Sequence, residues 1–319
     1  MTTVSVAIPC YKSAKTIPSV VEELRTVISA REGYDYQIIL VNDYPADGTF
    51  AVIEELCRED PKIIGVNLSR NFGQTPAKMA AIPYVTGDVL VYMDDDGQHP
   101  AERIFDLTDK VLGEGYDLAF ARFPHKHHSL FQRFGSWCNA KTLEWNGTKP
   151  KGLVLSSFYA VSRTAVDALR HYDSPFPAPT GYLFHLVQRC CNVDMEHRDR
   201  LAGRSNYTLG RMFHMWFTGF TNFSTLPLRL AAILGGFCAV LGFLGGAVVV
   251  IRKLVNPDIA AGYTSSIALQ LFIGGVIMMI LGLIGEYIGR IYMTVSGMPQ
   301  YRVRETRNAP LKGGDAHGE

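Results

Sequence analysis

The sequence predicts an α/β fold, a mostly parallel sheet flanked by helices, with two membrane-crossing helices toward its C-terminus. Over residues 1 to about 120, short β-branched runs alternate with amphipathic helical patterns, as successive βαβ units require. Each run ends in a polar or special residue, as strands of an open ligand-binding sheet do. Beyond residue 229, two stretches free of charge are each long enough to cross a hydrocarbon core of about 30 Å as a helix.

The strand candidates are "VSVAIP", "YQIILVND", "KIIGVNL", "DVLVYMD" and "DLAFAR". Between them lie the helical patterns "IPSVVEELRTVISA", "FAVIEELCRE" and "ERIFDLTDKVLGEG". The strand ends bring Pro9 with Tyr11, Asn42 with Asp43, Ser69 with Arg70, the run Asp94 to Asp96, and Arg122 toward one cleft. Residues 123 to about 200 are less regular, with a further strand in "SSFYAVSR". In "GRMFHMWFTGFTNF", Met212, Phe213, Trp216, Phe217 and Phe220 recur at three- and four-residue spacings beside Arg204 and Arg211, which fits a helix lying in a membrane interface. A core helix of the soluble domain is the alternative. The charge-free stretches Leu230 to Ile251 and Ile259 to Gly285 follow, with a pair of buried core helices as their alternative reading.

The expected organisation is an α/β domain over residues 1–205, an interfacial segment over 206–228, two spans within 229–290 (about 230–252 and 263–286), and a tail over 291–319. Lys plus Arg (31) balance Asp plus Glu (30), so the whole chain has no electrostatic pull toward nucleic acid. The six cysteines have no metal-ligand spacing, and a chain this size favours reduced, mostly buried thiols. The start "MTTVSVAIPC" lacks the pattern of a signal peptide, so the first domain is expected in the cytoplasm. Two spans return the tail, with Arg290, Arg302, Arg304 and Arg307, to that same side. Arg252 and Lys253, at the far end of the first span, count against that orientation without reversing it.

Three adjacent carboxylates in "VLVYMDDDGQHP" repel one another, so a cation is expected there. On a strand end, residues i and i+2 point the same way, which lets Asp94 and Asp96 converge while Asp95 points elsewhere. Two convergent carboxylates, with Gln98 as a neutral oxygen, suit Mg²⁺ or Mn²⁺. An acidic turn capping the next helix is the plainer reading, but it accounts for one aspartate only. An ion held by so few protein oxygens keeps open positions that a nucleoside diphosphate fills, which points to a nucleotide-activated substrate.

Taken together, "VAIPCYK", "LVNDYPADGT", "LSRNFGQTPAKMAAIPYVTGD", "MDDDGQHP", "RLAGRSNY", "STLPLRL" and "GEYIGRIYMTVSGMPQY" resemble the family 2, GT-A fold (Rossmann-like) glycosyltransferases that act on polyprenyl phosphates. The last motif resembles the two-span bacterial branch, which uses undecaprenyl phosphate. The resemblance implies a multi-pass inner-membrane enzyme that moves a sugar from a nucleotide sugar, a UDP-sugar by family analogy, to a lipid phosphate, and it is compatible with a homo-oligomer. Carried over residue by residue, it implies that Pro9, Tyr11, Asp43, Arg70, Gln74, Asp94 and Asp95 surround the nucleotide sugar. Asp94, Asp96 and Gln98 match its metal pattern DxDxQ, and Arg122, Arg133, Ser136 and Arg200 its positions for the lipid phosphate or diphosphate. Asp94, Asp96, Arg122 and Arg200 would carry catalysis.

The chain departs from the family pattern at "YKSAK" for "YNEE", "NDYP" for "DDGS" and "GRSNY" for "GESKY", that is at Lys12, Ser13, Tyr44, Arg204 and Asn206 among others. It also carries no acid in "PTGYLFHLVQRCC" where a base for a hydroxyl acceptor is expected, and Ser157 stands where many relatives have Asp. A phosphate acceptor is already anionic and needs no base, with His99 and His185 in reserve. The histidines of "HKHH" (125–128) fit a basic loop better than a metal site. A processive polysaccharide synthase would need a QxxRW motif and more spans. The remaining rivals are an aspartate-nucleophile phosphatase, suggested by "DDDG", and a non-catalytic membrane adaptor with a degenerate sugar-nucleotide domain.

Overall fold

The computed structural model describes residues 1–44, 46–124, 149–196, 226–255 and 263–309. The chain divides into two units, residues 1–212 with 299–319, and residues 213–298. In the first unit the order is β1 (Thr2–Cys10), α1 (Ile17–Ser29), β2 (Tyr34–Asn42), α2 (Thr49–Glu59), β3 (Ile63–Leu68), α3 (Gln74–Ala81), β4 (Val89–Tyr92), α4 (Ile104–Leu112) and β5 (Leu118–Arg122). It continues through β6 (Tyr159–Ser162), α5 (Arg163–Arg170), α6 (Pro179–Leu186) and β7 (Cys190–Asp194). The second unit contains α7 (Leu226–Val255) and α8 (Tyr263–Val295), after which β8 (Val303–Arg307) returns to the first.

The eight strands form one sheet in the order β7-β5-β6-β4-β1-β2-β3-β8. β1, β2, β3 and β4 run parallel, in a register that sets Val6 beside Ile38 and Val91, and β5 pairs parallel with β7. β6 is antiparallel to both β4 and β5, and β8 is antiparallel to β3. The sheet is therefore mixed but mostly parallel.

Alternate residues of each central strand enter two separate cores, one on each face. Val6, Ile8, Ile38, Leu40, Val89, Val91 and Met93 pack with the buried stripe Ile17, Val20, Val21, Leu24 and Ile28 of α1. Ala7, Ile39, Val41, Leu90 and Tyr92 pack on the other face with Ala77 and Ala80 of α3 and Val166 of α5. This is why the strand segments read as unbroken apolar runs. Each buried aliphatic side chain contributes roughly 2 kcal/mol. At the start of β4, a Cβ on Gly87 would meet the Thr3 carbonyl at 2.6 Å, so the close approach of this turn to β1 requires glycine. Asp88 completes the join, accepting from the Thr3 N–H at 2.8 Å.

Two strands escape the sequence reading, polar β7 and charged β8. The segment expected as a tail contains β8, which covers the edge of β3. Its end is fixed by Asn308 in the left-handed region (φ 54°), donating to the carbonyls of Cys57 and Ile63, the latter at 3.0 Å. The five described cysteines are free thiols, in keeping with the expected reduced state.

In the second unit, α7 and α8 have 30 and 33 residues, longer than the expected spans. Their most apolar windows are Ala231–Val248 and Phe272–Val295, and the second includes Glu286 paired with Arg290 at 2.8 Å one turn on. Phe243 and Met278 are 77% and 70% exposed, and among the described residues no part of either window is buried, against the reading as buried core helices. The expected interfacial segment lies almost wholly outside the described residues.

Candidate active site

The carboxyl ends of β1 to β5 open on one rim of the sheet, joined there by the end of β7 and the start of β6. β4 stops at Tyr92, earlier than the sequence reading requires, and the aspartates follow in a turn with Gly97 at φ 73°. Strand alternation survives for three residues beyond it. Asp94 continues the Tyr92 side and meets α3, where Gln74 Nε2 donates to Oδ1 at 2.7 Å and Ser157 Oγ to Oδ2 at 2.6 Å. Asp95 continues the Met93 side, and its Oδ2 accepts from the Tyr11 N–H at 2.9 Å and from the Ser13 hydroxyl. Burial pushes the Asp95 carboxyl up, against the pull of those two bonds.

Asp96 sits in the turn itself and accepts from the Gln98 N–H at 3.1 Å. A strand pleat therefore does not set its direction relative to Asp94. His99, 4% exposed, accepts at Nδ1 from the Asp94 N–H at 3.0 Å, so a neutral ring carries its proton on Nε2. That nitrogen lies 3.7 Å from Asp94 Oδ2, and the ring stacks on Phe158 at 5.0 Å. His99 is thus committed to the Asp94 backbone, which removes it as a reserve base. His185 is exposed on α6.

The remaining expected residues divide between the rim and its supports. Pro9 is buried in β1 opposite Val41, and Tyr11 beyond it is 50% exposed, its ring 5.4 Å from Tyr44. Asp43 is buried, with both oxygens taken by the N–H groups of Phe72 and Gly73 at 2.8 Å each. It shapes the loop before α3. Desolvation raises its pKa, opposed by those two bonds. Arg70 is exposed, its guanidinium 4.7 Å from the Phe72 ring. Arg122 forms a bidentate pair with Asp194, Nη2 to Oδ2 at 2.7 Å, which lowers the pKa of Asp194. Arg133, Ser136, Arg200, Arg204, Asn206 and the histidines of 125–128 lie outside the described residues.

Sequence reasoning missed Lys78. Its side chain is 8% exposed, with Nζ 5.3 and 5.2 Å from the rings of Tyr92 and Tyr159 and 3.4 Å from the Ser157 carbonyl. Desolvation lowers its pKa, and the charge of Asp94 opposes that. The available signal was a lone lysine among small apolar residues in "TPAKMAA".

Among the described residues there is no cluster of three His, Cys, Asp or Glu side chains that could hold a metal unaided. The turn nevertheless fits a hard divalent ion that draws further oxygens from a substrate. Asp94, Asp96 and Gln98 offer oxygen ligands, and among the described residues the hydrogen bonds to the Asp94 carboxylate come from two neutral donors. Coordination shared with phosphate oxygens is characteristic of such ions.

Residues 5–169, more than half of the chain, match the glycosyl transferase family 2 profile. The chain belongs to that family. Residues 226–291 of this glycosyltransferase match the GtrB C-terminal hairpin. It is 31% identical over 312 residues to the undecaprenyl-phosphate 4-deoxy-4-formamido-L-arabinose transferase of Klebsiella pneumoniae, covering 96% of this chain and 94% of that protein. It is 28% identical over 312 residues to the SfII prophage-derived bactoprenol glucosyl transferase of Shigella flexneri, covering 95% and 98%. In fold it resembles glucosyl-3-phosphoglycerate synthase from Mycobacterium tuberculosis in complex with phosphoglyceric acid, with a TM-score of 0.52 and 17% identity over 70% of this chain and 80% of that one. A second structure of that synthase, with Mn²⁺, UDP-glucose and phosphoglyceric acid, gives a TM-score of 0.50 and 20% identity over 69% and 78%. These likenesses establish the GT-A-like fold, and the exposed apolar hairpin makes this glycosyltransferase a membrane protein.

Proposed function

We propose that this glycosyltransferase moves a sugar from a UDP-sugar to the phosphate of a polyprenyl phosphate, undecaprenyl phosphate in a bacterial membrane, with inversion at the anomeric carbon. The observation that carries the reading is one chain that joins a rim turn of carboxylates to an exposed apolar hairpin and then returns to the same sheet as β8. An even number of crossings leaves both ends of the hairpin on one side of the membrane, which supports a multi-pass protein of the inner membrane with its sheet domain in the cytoplasm. The proposed division is a sheet domain over 1–205, an interfacial segment over 206–228 and two spans within 229–290, with a homo-oligomer in keeping with related two-span enzymes.

Pro9, Tyr11 and Arg70 border the donor nucleotide, and Gln74 orients Asp94 beside it. Asp94, Asp96 and Gln98 would hold Mg²⁺ or Mn²⁺, which when bound supplies Lewis-acid neutralisation of the departing diphosphate. Arg122, with Arg133, Ser136 and Arg200, receives the acceptor phosphate, which takes the place of Asp194 on the Arg122 guanidinium. An acceptor phosphate oxygen bonds to the anomeric carbon as the bond from that carbon to the donor phosphate oxygen breaks, and UDP leaves with the electron pair. An ionised phosphate needs no proton removed, which accords with His99 being occupied elsewhere. Catalysis then rests on positioning and electrostatics.

The test incubates detergent-purified protein with undecaprenyl phosphate and a panel of nucleotide sugars, with and without chelator, and reads products by mass spectrometry. A polyprenyl monophosphate sugar is expected, lost with EDTA. Asp96→Ala should reduce turnover by roughly 10²-fold or more while the melting temperature stays put. Full activity in that variant would remove Asp96 from the metal site, and transfer to a hydroxyl acceptor would overturn the choice of acceptor.

A further inference from the structure

We propose that Asp95, the middle carboxylate of the run, is a positioning residue that locks the loop after β1 to the turn after β4, and so holds the nucleoside-facing surface in place before donor arrives. The inference rests on the donor reading above. One oxygen of Asp95 accepts from both the Tyr11 N–H and the Ser13 hydroxyl. Ser13 is 3% exposed and is itself anchored, its N–H donating to Thr49 Oγ1 at 3.0 Å and its carbonyl accepting from the N–H groups of Thr16 and Ile17 at 3.0 Å each. The bond from Asp95 therefore ties the β4 turn to the starts of α1 and α2.

Between the two bonded residues, Lys12 takes φ 59°, a left-handed conformation that few side-chain-bearing residues adopt. Both of its neighbours are held by the same carboxylate oxygen, which maintains that conformation. As a result the Lys12 ammonium lies 5.5 and 5.2 Å from the rings of Tyr11 and Tyr44, and those rings meet edge to face. The loop after β1 carries no acid from Tyr11 to Lys15, whereas the turn after the neighbouring β4 carries Asp95. The carboxylate that the loop lacks is delivered from the neighbouring strand. This accounts for the third aspartate without a metal.

The experiment titrates detergent-purified protein with Mn²⁺ alone, by electron paramagnetic resonance of the free ion, and then with UDP in saturating Mn²⁺, by calorimetry. Asp95→Ala should weaken UDP binding about tenfold and raise the donor KM with little change in kcat, while Mn²⁺ binding is unchanged. Asp95→Asn, whose amide oxygen still accepts from both donors, should bind UDP nearly as the wild type does. Ser13→Ala combined with Asp95→Ala should be no worse than Asp95→Ala alone, because both remove one shared contact. Unchanged UDP affinity in Asp95→Ala, or an equal loss of Mn²⁺ binding, overturns the proposal. If the wild type binds no UDP, the donor reading fails, and hydrogen exchange at the Tyr11 amide still decides the lock: protection lost in Asp95→Ala supports it, and unchanged protection refutes it.

Discussion

Lys78 is a charge kept where water is scarce, and that has a measurable consequence. The unfolded chain holds this proton to about pH 10.5, whereas the folded chain releases it earlier because burial disfavours the ammonium. Between those two points the unfolded state binds more protons, so stability rises with pH across the window. In Lys78→Met that rise should be absent, as read from melting temperatures measured in detergent from pH 7 upward. Asp43 works differently, through the two N–H groups it satisfies. Asp43→Ala leaves both without that partner in a partly buried place, at about 1 kcal/mol each. A lower melting temperature and a higher donor KM are expected together, since Gln74 follows directly on that loop.

Secondary-structure elements in this chain announce themselves according to how they are buried. β1 to β4 are covered on both faces and read as apolar runs, and α1 shows a single stripe. β8 reads Val-Arg-Glu-Thr-Arg, a pattern no hydropathy rule marks as a strand. It forms because β3 offers an open edge and because its charges find partners beside it, Arg307 with Glu54 of α2 and Glu305 with Asn67 of β3. Stopping the chain before Val303 should uncover β3 and produce aggregates on size-exclusion chromatography. Asn308 sets the end of the strand by conformation as well as by hydrogen bonds. Asn308→Gly retains the left-handed backbone and loses the bonds, whereas Asn308→Ala loses both, so melting temperature should fall from wild type to Gly to Ala.

Across the molecule, near-neutral net charge leaves the apolar hairpin as the feature that governs where the protein resides. Phe243 and Met278 stand outward on α7 and α8, where lipid is the fitting neighbour. Replacing both with lysine costs about 2.5–3.5 kcal/mol each at a bilayer centre. The fraction retained in membranes after alkaline carbonate extraction should drop, while a lysine placed on the surface of the sheet domain should leave it unchanged. The sheet strands and the hairpin were legible in the residues because burial on two faces and immersion in lipid both demand continuous apolar composition. The aspartate run was likewise legible as a group of carboxylates at the carboxyl rim of the sheet. Which partners each carboxylate takes was not legible. Asp94 turns to Gln74 and Ser157, Asp95 to Tyr11 and Ser13, and Asp96 to its own turn, because β4 ends at Tyr92 and partners distant in sequence arrive from α3, the segment before β6 and the loop after β1. Composition and period are local properties, written along the chain, whereas a hydrogen-bond partner or the burial of Lys78 depends on where remote segments come to rest.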